Sequence, residues 1–285
     1  MLVCQGRAVA DGRVAVGRFA DPVAMRLLRP DERSVVEQAR SGTVPDGWRE
    51  RLDVERVAAC AELMVPRTVA IDEAVHAASN PQVVIVGAGL DGRPWRWGEH
   101  LAPVLYAVDH PATQADVERR AVGLPPTVGR LALVPVDLAV DPLDGRLDAA
   151  GHDRSAPTTC IWEGVVPYLT AAQVETTLAA LSARSAPGSV LVVNYQSPHL
   201  RARVGRLLVG AISRVTGAAN PMAGEPWRSL WTPDSMGGLL ADRGWAVDRD
   251  DDLVAIADEI GVEVSHRGSV GSGRVAVAVR PVVAD

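Results

Sequence analysis

The chain has 285 residues, 47% of them hydrophobic, which is ample for a substantial buried core and excludes a disordered tail. A formal net charge of −6 argues against a general polyanion binder, so nucleic acid is not the expected substrate, and the absence of any lysine excludes lysine Schiff-base chemistry. No apolar run approaches the roughly 18 residues needed to cross a bilayer, the start Met1-Leu2-Val3-Cys4-Gln5-Gly6-Arg7 has no signal-peptide design, and Cys4, Cys60 and Cys160 are too scattered for a disulfide framework; a cytoplasmic setting is expected.

The first eighty or so residues read as a helical cover. Asp21-Pro22-Val23-Ala24-Met25-Arg26-Leu27-Leu28 opens with an N-cap and a proline at the first helical position, and Arg29-Pro30-Asp31-Glu32 restarts the pattern. Over 47–65, Val54, Val57, Ala58, Ala61, Met64 and Val65 recur at spacings of three and four, the mark of one buried helical face. Pro66 is then expected to restart the chain at Arg67-Thr68-Val69-Ala70-Ile71-Asp72.

From residue 82 the pattern changes to short β-branched runs alternating with helical segments, the form taken by a doubly wound parallel sheet. Strands are expected at 82–86, 104–108, 131–136, 158–162 and 189–195, with the clearest helices at Thr113–Val122 and Ala171–Ser185, the latter capped by Thr170. An insertion over 196–243 follows, and then two late strands, Trp245-Ala246-Val247-Asp248 and Arg274-Val275-Ala276-Val277-Ala278-Val279. The expectation is one α/β domain over 1–285: helical cover 1–80, ligand-binding core 81–195, substrate-side insertion 196–243 and closing strands 244–285.

Gly87-Ala88-Gly89-Leu90-Asp91-Gly92 follows the first strand, where glycine lets the backbone turn sharply and approach a ligand closely. This Gly-x-Gly-x-x-Gly pattern is shared by NAD, FAD and methyl-donor sites, and it also occurs as a plain structural turn. Asp109 ends the second strand about twenty residues later, where a carboxylate can take both hydroxyls of an adenosine ribose. That feature is common to NAD and to the methyl donor. Asp137, in Leu133-Val134-Pro135-Val136-Asp137-Leu138, ends the third strand where an adenine amino group can be held, which favours the methyl donor; a helix N-cap is the other reading. After the fourth strand, Trp162-Glu163-Gly164 and Pro167-Tyr168-Leu169 put an acid, a small residue and an aromatic where open α/β sheets bind ligands.

Five segments in order, from about residue 19 to 195, resemble the leucine carboxyl methyltransferase-like family of bacterial enzymes. They are Phe19-Ala20-Asp21-Pro22 with Leu27-Leu28; Pro66-Arg67-Thr68 with Ile71-Asp72; Val84 to Asp91; Val108-Asp109-His110-Pro111-Ala112-Thr113-Gln114; and Glu163-Gly164-Val165 with Tyr168-Leu169. Gly92 departs from the family, whose members often carry threonine there, and 196–243 matches no pattern. The resemblance implies a class I, Rossmann-like methyltransferase that uses S-adenosyl-L-methionine. It also implies Arg67 for the methionine carboxylate, Glu163 with Gly164 near its amino group, Gly87, Ala88, Gly89 and Asp91 along the turn, Asp109 for ribose, and Asp137 with Leu138 for adenine. A guanidinium can grip a carboxylate through two parallel hydrogen bonds while a carboxylate offsets an ammonium, although either residue could serve as an ordinary ion pair.

The expected acceptor is a carboxylate or hydroxyl of a small molecule. A carboxylate, with a reference pKa of about 4, needs no general base; a phenol or alcohol at about 10 or more would be helped by one, with His199 and His266 available by residue type alone. Tyr168, Tyr195, Trp227 and Trp231 could line an acceptor pocket or simply pack the core. No metal-ligand spacing is present, so metal-independent transfer is expected. An NAD-dependent oxidoreductase is the alternative enzyme, weakened by Pro94 at the expected helix start; a non-catalytic cofactor-binding module is the other alternative.

Overall fold

The computed structural model describes residues 1–198 and 227–282. The N-terminal region forms α1 (Leu2–Ala10), α2 (Ala24–Leu27), α3 (Pro30–Ser41) and the long α4 (Trp48–Ala78). Two local expectations shift. The helix predicted from Pro22 starts at Ala24, with Asp21 Oδ1 accepting from the Ala24 amide at 3.0 Å. Pro66 does not restart the chain either, because α4 runs through it. Proline removes one amide donor, yet residues 64–69 of this helix are buried, so packing on every side compensates for the lost backbone bond. As a result Arg67 and Asp72 are carried on one continuous rod. Val57, Ala61, Met64 and Val65 are buried as the periodicity predicts, whereas Ala58 is exposed.

The core alternates as expected: β1 (Gln82–Val86), α5 (Arg93–Arg96), β2 (Val104–Asp109), α6 (Pro111–Arg120), β3 (Arg130–Pro135), α7 (Leu143–Ala149), β4 (Thr158–Trp162), a 3-10 turn (Val166–Tyr168), α8 (Ala171–Ala183) and β5 (Val190–Gln196). Thr170 caps α8 with Gln173 in a reciprocal capping box. Beyond residue 226 come α9 (Pro233–Ala241), β6 (Ala246–Asp252), α10 (Leu253–Glu259), α11 (Arg267–Val270) and β7 (Gly273–Val279). Among the described residues no helix is long and apolar enough to cross a membrane.

The seven strands form one sheet in the order β3-β2-β1-β4-β5-β7-β6. Strands β1 to β5 pair in parallel, and β7 runs antiparallel between β5 and β6. Strand period decides the two core layers. Val83, Ile85, Leu105, Ala107, Ile161 and Val192 face α4 and α10, while Val84, Val86, Tyr106, Val108, Trp162 and Val193 face α8 and α9. Because β1 leads to β2 on one side and its other neighbour is β4, the direction of winding reverses there, and open sheets bind ligands beyond the strand ends at such a point.

His152 is a buried polar group of the second layer: its Nε2 lies 3.1 Å from Thr158 Oγ1 and its ring meets Tyr106 edge-on at 5.3 Å. Burial, reinforced by the charge of Arg184, pulls its pKa from 6.5 to about 4. The unfolded chain therefore takes up a proton between pH 6.5 and 4 that the folded chain refuses, so this contribution is complete above pH 6.5 and is lost as pH falls toward 4. A loss of about 3 kcal/mol across that window is expected for the wild-type chain. His152→Phe should flatten that part of the profile; identical urea midpoints against pH for both chains would refute the assignment.

Candidate cofactor site

The carboxyl edge of the sheet places the sequence-predicted residues in a row. Asp137 lies beyond β3, Asp109 ends β2, Gly87 to Gly89 follow β1 and Glu163 follows β4, in the order of the strands themselves. The turn is tightly fixed. The amides of Gly87 and Ala88 both donate to Val108 O, at 2.8 and 3.1 Å, and Gly87 has φ +76°. A Cβ on Gly87 would lie 2.0 Å from Val165 Cγ2, so glycine is required by conformation and by the close approach of the β4 loop. Gly89 also has positive φ, but the nearest atom to its absent Cβ is Asp109 Oδ2 at 3.9 Å, leaving room above the turn.

Asp109 clamps this turn: Oδ2 accepts from the Gly89 amide at 2.6 Å and Oδ1 from the His110 amide at 2.6 Å. Each carboxylate oxygen keeps acceptor capacity for a diol. The Val136 amide donates to Asp109 O, which brings Asp137 beside it. Asp137 is half-exposed, accepts from the Ala139 amide at 2.9 Å and has Oδ2 3.9 Å from His110 Nε2, while Leu138 is half-buried next to it.

Below the turn lies a cavity of about 160 Å³ lined by Arg67, Gly87, Ala88, Gly89, Asp91, Glu163 and Gly164, with Cys4 and Arg7 of α1 closing its far side. More spacious hollows exist, one of about 460 Å³ between Asp258 and Arg267, but that one holds none of these residues. Arg67 and Glu163 are both buried, with Arg67 Nη2 2.7 Å from Glu163 Oε1. The distance is that of an ion pair, but no hydrogen bond forms: Glu163 Oε1 and Arg67 Nε are each buried without a hydrogen-bond partner. Burial alone would raise the Glu163 carboxyl. The guanidiniums of Arg67, Arg93 and Arg7 outweigh burial and hold it well below the usual carboxylate range. Burial likewise raises the Cys4 thiol to about 11, so this cavity-lining sulfur is a protonated thiol at neutral pH.

Asp91 is placed differently from the other turn residues. Its Oδ2 receives Arg93 Nη1 at 2.7 Å and its Oδ1 receives the Arg93 amide at 2.8 Å, so it borders the cavity while bonding away from it. Sequence reasoning missed Arg93, and with it Arg7, whose Nε donates to the buried Asp21 at 2.8 Å and whose Nη2 donates to Leu90 O. In a chain whose 29 basic residues are all arginine, nothing in residue type marks the buried ones. The nearest signal was spacing, since Asp72, Asp91 and Glu163 each stand in the resembling segments and require counter-charges.

The aromatic residues divide. Tyr168 is in the 3-10 turn after β4, and the segment after Trp227 crosses that turn through Arg228 N to Pro167 O at 2.6 Å and Ser229 Oγ to Val166 O at 3.0 Å. Trp231 continues it, its amide bonded to Gln196 O at the end of β5. The structure thus brings Trp231 and the Tyr168 turn to one end of the sheet. Tyr195, by contrast, is wholly buried, with its hydroxyl donated to Asp250 Oδ2 at 2.6 Å. His266 faces Glu62 at 3.6 Å and does not line the cavity, and His199 lies outside the described residues.

Solved structures of the same overall shape include a "putative methyltransferase" from Thermobifida fusca, at a TM-score of 0.57 and 16% identity, covering 96% of this chain and 97% of that one. A DUF574 family protein from Streptomyces avermitilis matches at 0.54 and 16%, covering 98% and 97%. The fold is the Rossmann-like methyltransferase fold. Residues 1–182 match the leucine carboxyl methyltransferase model, and the chain belongs to that family. Among its relatives, one from Streptomyces coelicolor is 37% identical over 213 residues, 72% of this chain and 69% of the relative. Another from Mycolicibacterium vanbaalenii is 32% identical over 197 residues, 66% of this chain and 64% of the relative. Both bear the name "Putative S-adenosyl-L-methionine-dependent methyltransferase". The match thus spans less than two thirds of the M. vanbaalenii protein's length.

Proposed function

We propose that this protein is an S-adenosyl-L-methionine-dependent methyltransferase that methylates an oxygen, carboxylate or hydroxyl, of a small molecule in the cytoplasm. The observation that carries the reading is the juxtaposition of Arg67 and Glu163, two buried opposite charges with unsatisfied polar atoms, in a cavity roofed by the Gly87–Gly89 turn. A cofactor whose amino-acid end carries one carboxylate and one ammonium fits that pair by charge. At about 160 Å³ the cavity is smaller than the roughly 300 Å³ and upward of complete ligand pockets, so it suits the amino-acid end alone. The open edge at Asp109 and Asp137 is left for ribose and adenine.

When bound, the cofactor supplies an electrophilic methyl group on a sulfonium. The chain's part is positional: Arg67 and Glu163 anchor one end, Asp109 the ribose, and Asp137 with Leu138 the adenine, so that the acceptor oxygen meets the methyl carbon in line. Tyr168, Trp227 and Trp231, at the same end of the sheet, would shape the acceptor side. A carboxylate acceptor needs no proton removed, and transfer requires no metal.

Calorimetry with S-adenosylhomocysteine, followed by transfer of labelled methyl to a panel of small acids and phenols, tests the reading. Binding of NAD with none of S-adenosylhomocysteine would overturn it, as would loss of transfer on chelation for its metal-independent part. Asp109→Ala removes the ribose acceptor and the Gly89 clamp together, and a loss of at least about tenfold in S-adenosylhomocysteine affinity is expected.

A further inference from the structure

Arg93 lies just outside the cavity lining, and its guanidinium is the hub of the charges around it. It is 1% exposed, and its three hydrogen bonds to carboxylates reach three separate parts of the fold. Nε donates to Asp72 Oδ1 of α4 at 2.8 Å, and Nη1 donates to Asp91 Oδ2 beyond the glycine turn and to Glu163 Oε2 beyond β4, both at 2.7 Å. Asp72 is shared with Arg96 at 2.6 Å, and the Arg93 guanidinium lies 5.4 Å from the centre of the Trp97 ring.

The two oxygens of Glu163 are therefore unequal. Oε2 is fixed from behind by Arg93, whereas Oε1 faces Arg67 with no hydrogen bond. Among the described residues, Arg67 has a single 3.5 Å bond to Asn194 Oδ1 on its other terminal nitrogen, and its Nε has no hydrogen-bond partner. An entering ammonium and carboxylate can separate Arg67 from Glu163 without breaking a hydrogen bond, provided that Glu163 is held in place. Among the described residues, the ion-paired side chains around the cavity, Arg7, Arg67, Arg93 and Arg96 against Asp21, Asp72, Asp91 and Glu163, are neutral in sum. A zwitterion therefore enters without unbalancing them, whereas a singly charged end would leave one buried charge unmatched.

We infer that Arg93 is a positioning residue: without touching the ligand, it holds Glu163 Oε2 so that Oε1 is presented to the ammonium of a zwitterionic amino-acid end. The inference rests on the cofactor reading above and deepens it. The readout is binding, by calorimetry, of S-adenosylhomocysteine and of 5′-methylthioadenosine, which shares the nucleoside but lacks the amino-acid end.

Arg93→Met is expected to weaken S-adenosylhomocysteine about hundredfold and to leave methylthioadenosine within about twofold. Arg93→Lys keeps the cation but cannot span three carboxylates; it should fold where the methionine variant does not, and show at least about a tenfold loss confined to S-adenosylhomocysteine. Equal losses for both ligands would mean that Arg93 merely supports the fold, and no loss for either would mean that Glu163 needs no holding; each result overturns the inference. If the wild-type chain binds methylthioadenosine as tightly as S-adenosylhomocysteine, the cavity does not take the amino-acid end, and the cofactor reading of Arg67 and Glu163 fails first.

Discussion

Replacing Glu163 with alanine is expected to lower stability by about 3–5 kcal/mol, the range for removing one partner of a buried ion cluster, and to abolish S-adenosylhomocysteine binding. Arg67 and Arg93 are both buried, and each loses its contact with the shared carboxylate. Arg93 keeps Asp72 and Asp91, so Arg67, left with a single long bond to Asn194, carries most of the cost. Charge and shape separate in Glu163→Gln, which fills the same space without the charge. Because the Glu163 carboxyl is held well below its ordinary value, its contribution is complete above about pH 4.5 and declines as pH falls below that. The glutamine variant should lack that acid-side decline. Urea midpoints measured from pH 7 to 3 provide the check, and an alanine variant as stable as wild type would refute this account of the site.

The second large effect is expected at Gly87. Alanine there must adopt φ +76° and must also push aside Val165, whose Cγ2 would lie 2.0 Å from the new carbon. Left-handed backbone costs about 1–2 kcal/mol, and the clash should bring the total to the order of 3–4 kcal/mol. Moving the backbone instead would disturb the two amides that donate to Val108 O. The two causes can be separated. Measured against Val165→Ala alone, the Gly87→Ala, Val165→Ala double variant has lost the collision and should show only the backbone term of about 1–2 kcal/mol, giving a favourable coupling between the two substitutions. Strict additivity would show that Val165 does not set the turn's geometry.

What could be read from the chain beforehand follows from which forces are local. The parallel strands β1, β4 and β5 announce themselves as short buried runs rich in β-branched residues, β2 and β3 by their place in the alternation of strand and helix, and β7 by its alternating valines. Thr170 caps its helix as its side-chain chemistry dictates. Pro66 misled because propensity argues from one residue, whereas the helix around it is buried and tertiary packing overrides the local penalty. The turn and the acids at strand ends were legible because strand-end position is itself a sequence property. Arg93 and Arg7 were not, since their importance lies in partners 70 and 14 residues away. Tyr195 falls between: its strand was foreseen, but whether its ring met a ligand or the core depended on Asp250, 55 residues on.

The placement of the site along the sheet edge has a consequence for folding. Its parts come from α1, α4 and the ends of β1, β2, β3 and β4, so no short stretch of chain can assemble even half of it. Ligand affinity is accordingly a property of the assembled sheet, and any opening that separates β4 from β1 dissolves the site. A bound nucleoside would then act as a clamp on the global unfolding equilibrium, worth about 2.7 kcal/mol at a hundred times its dissociation constant, and would slow local opening of the central strands as much as it protects the turn itself.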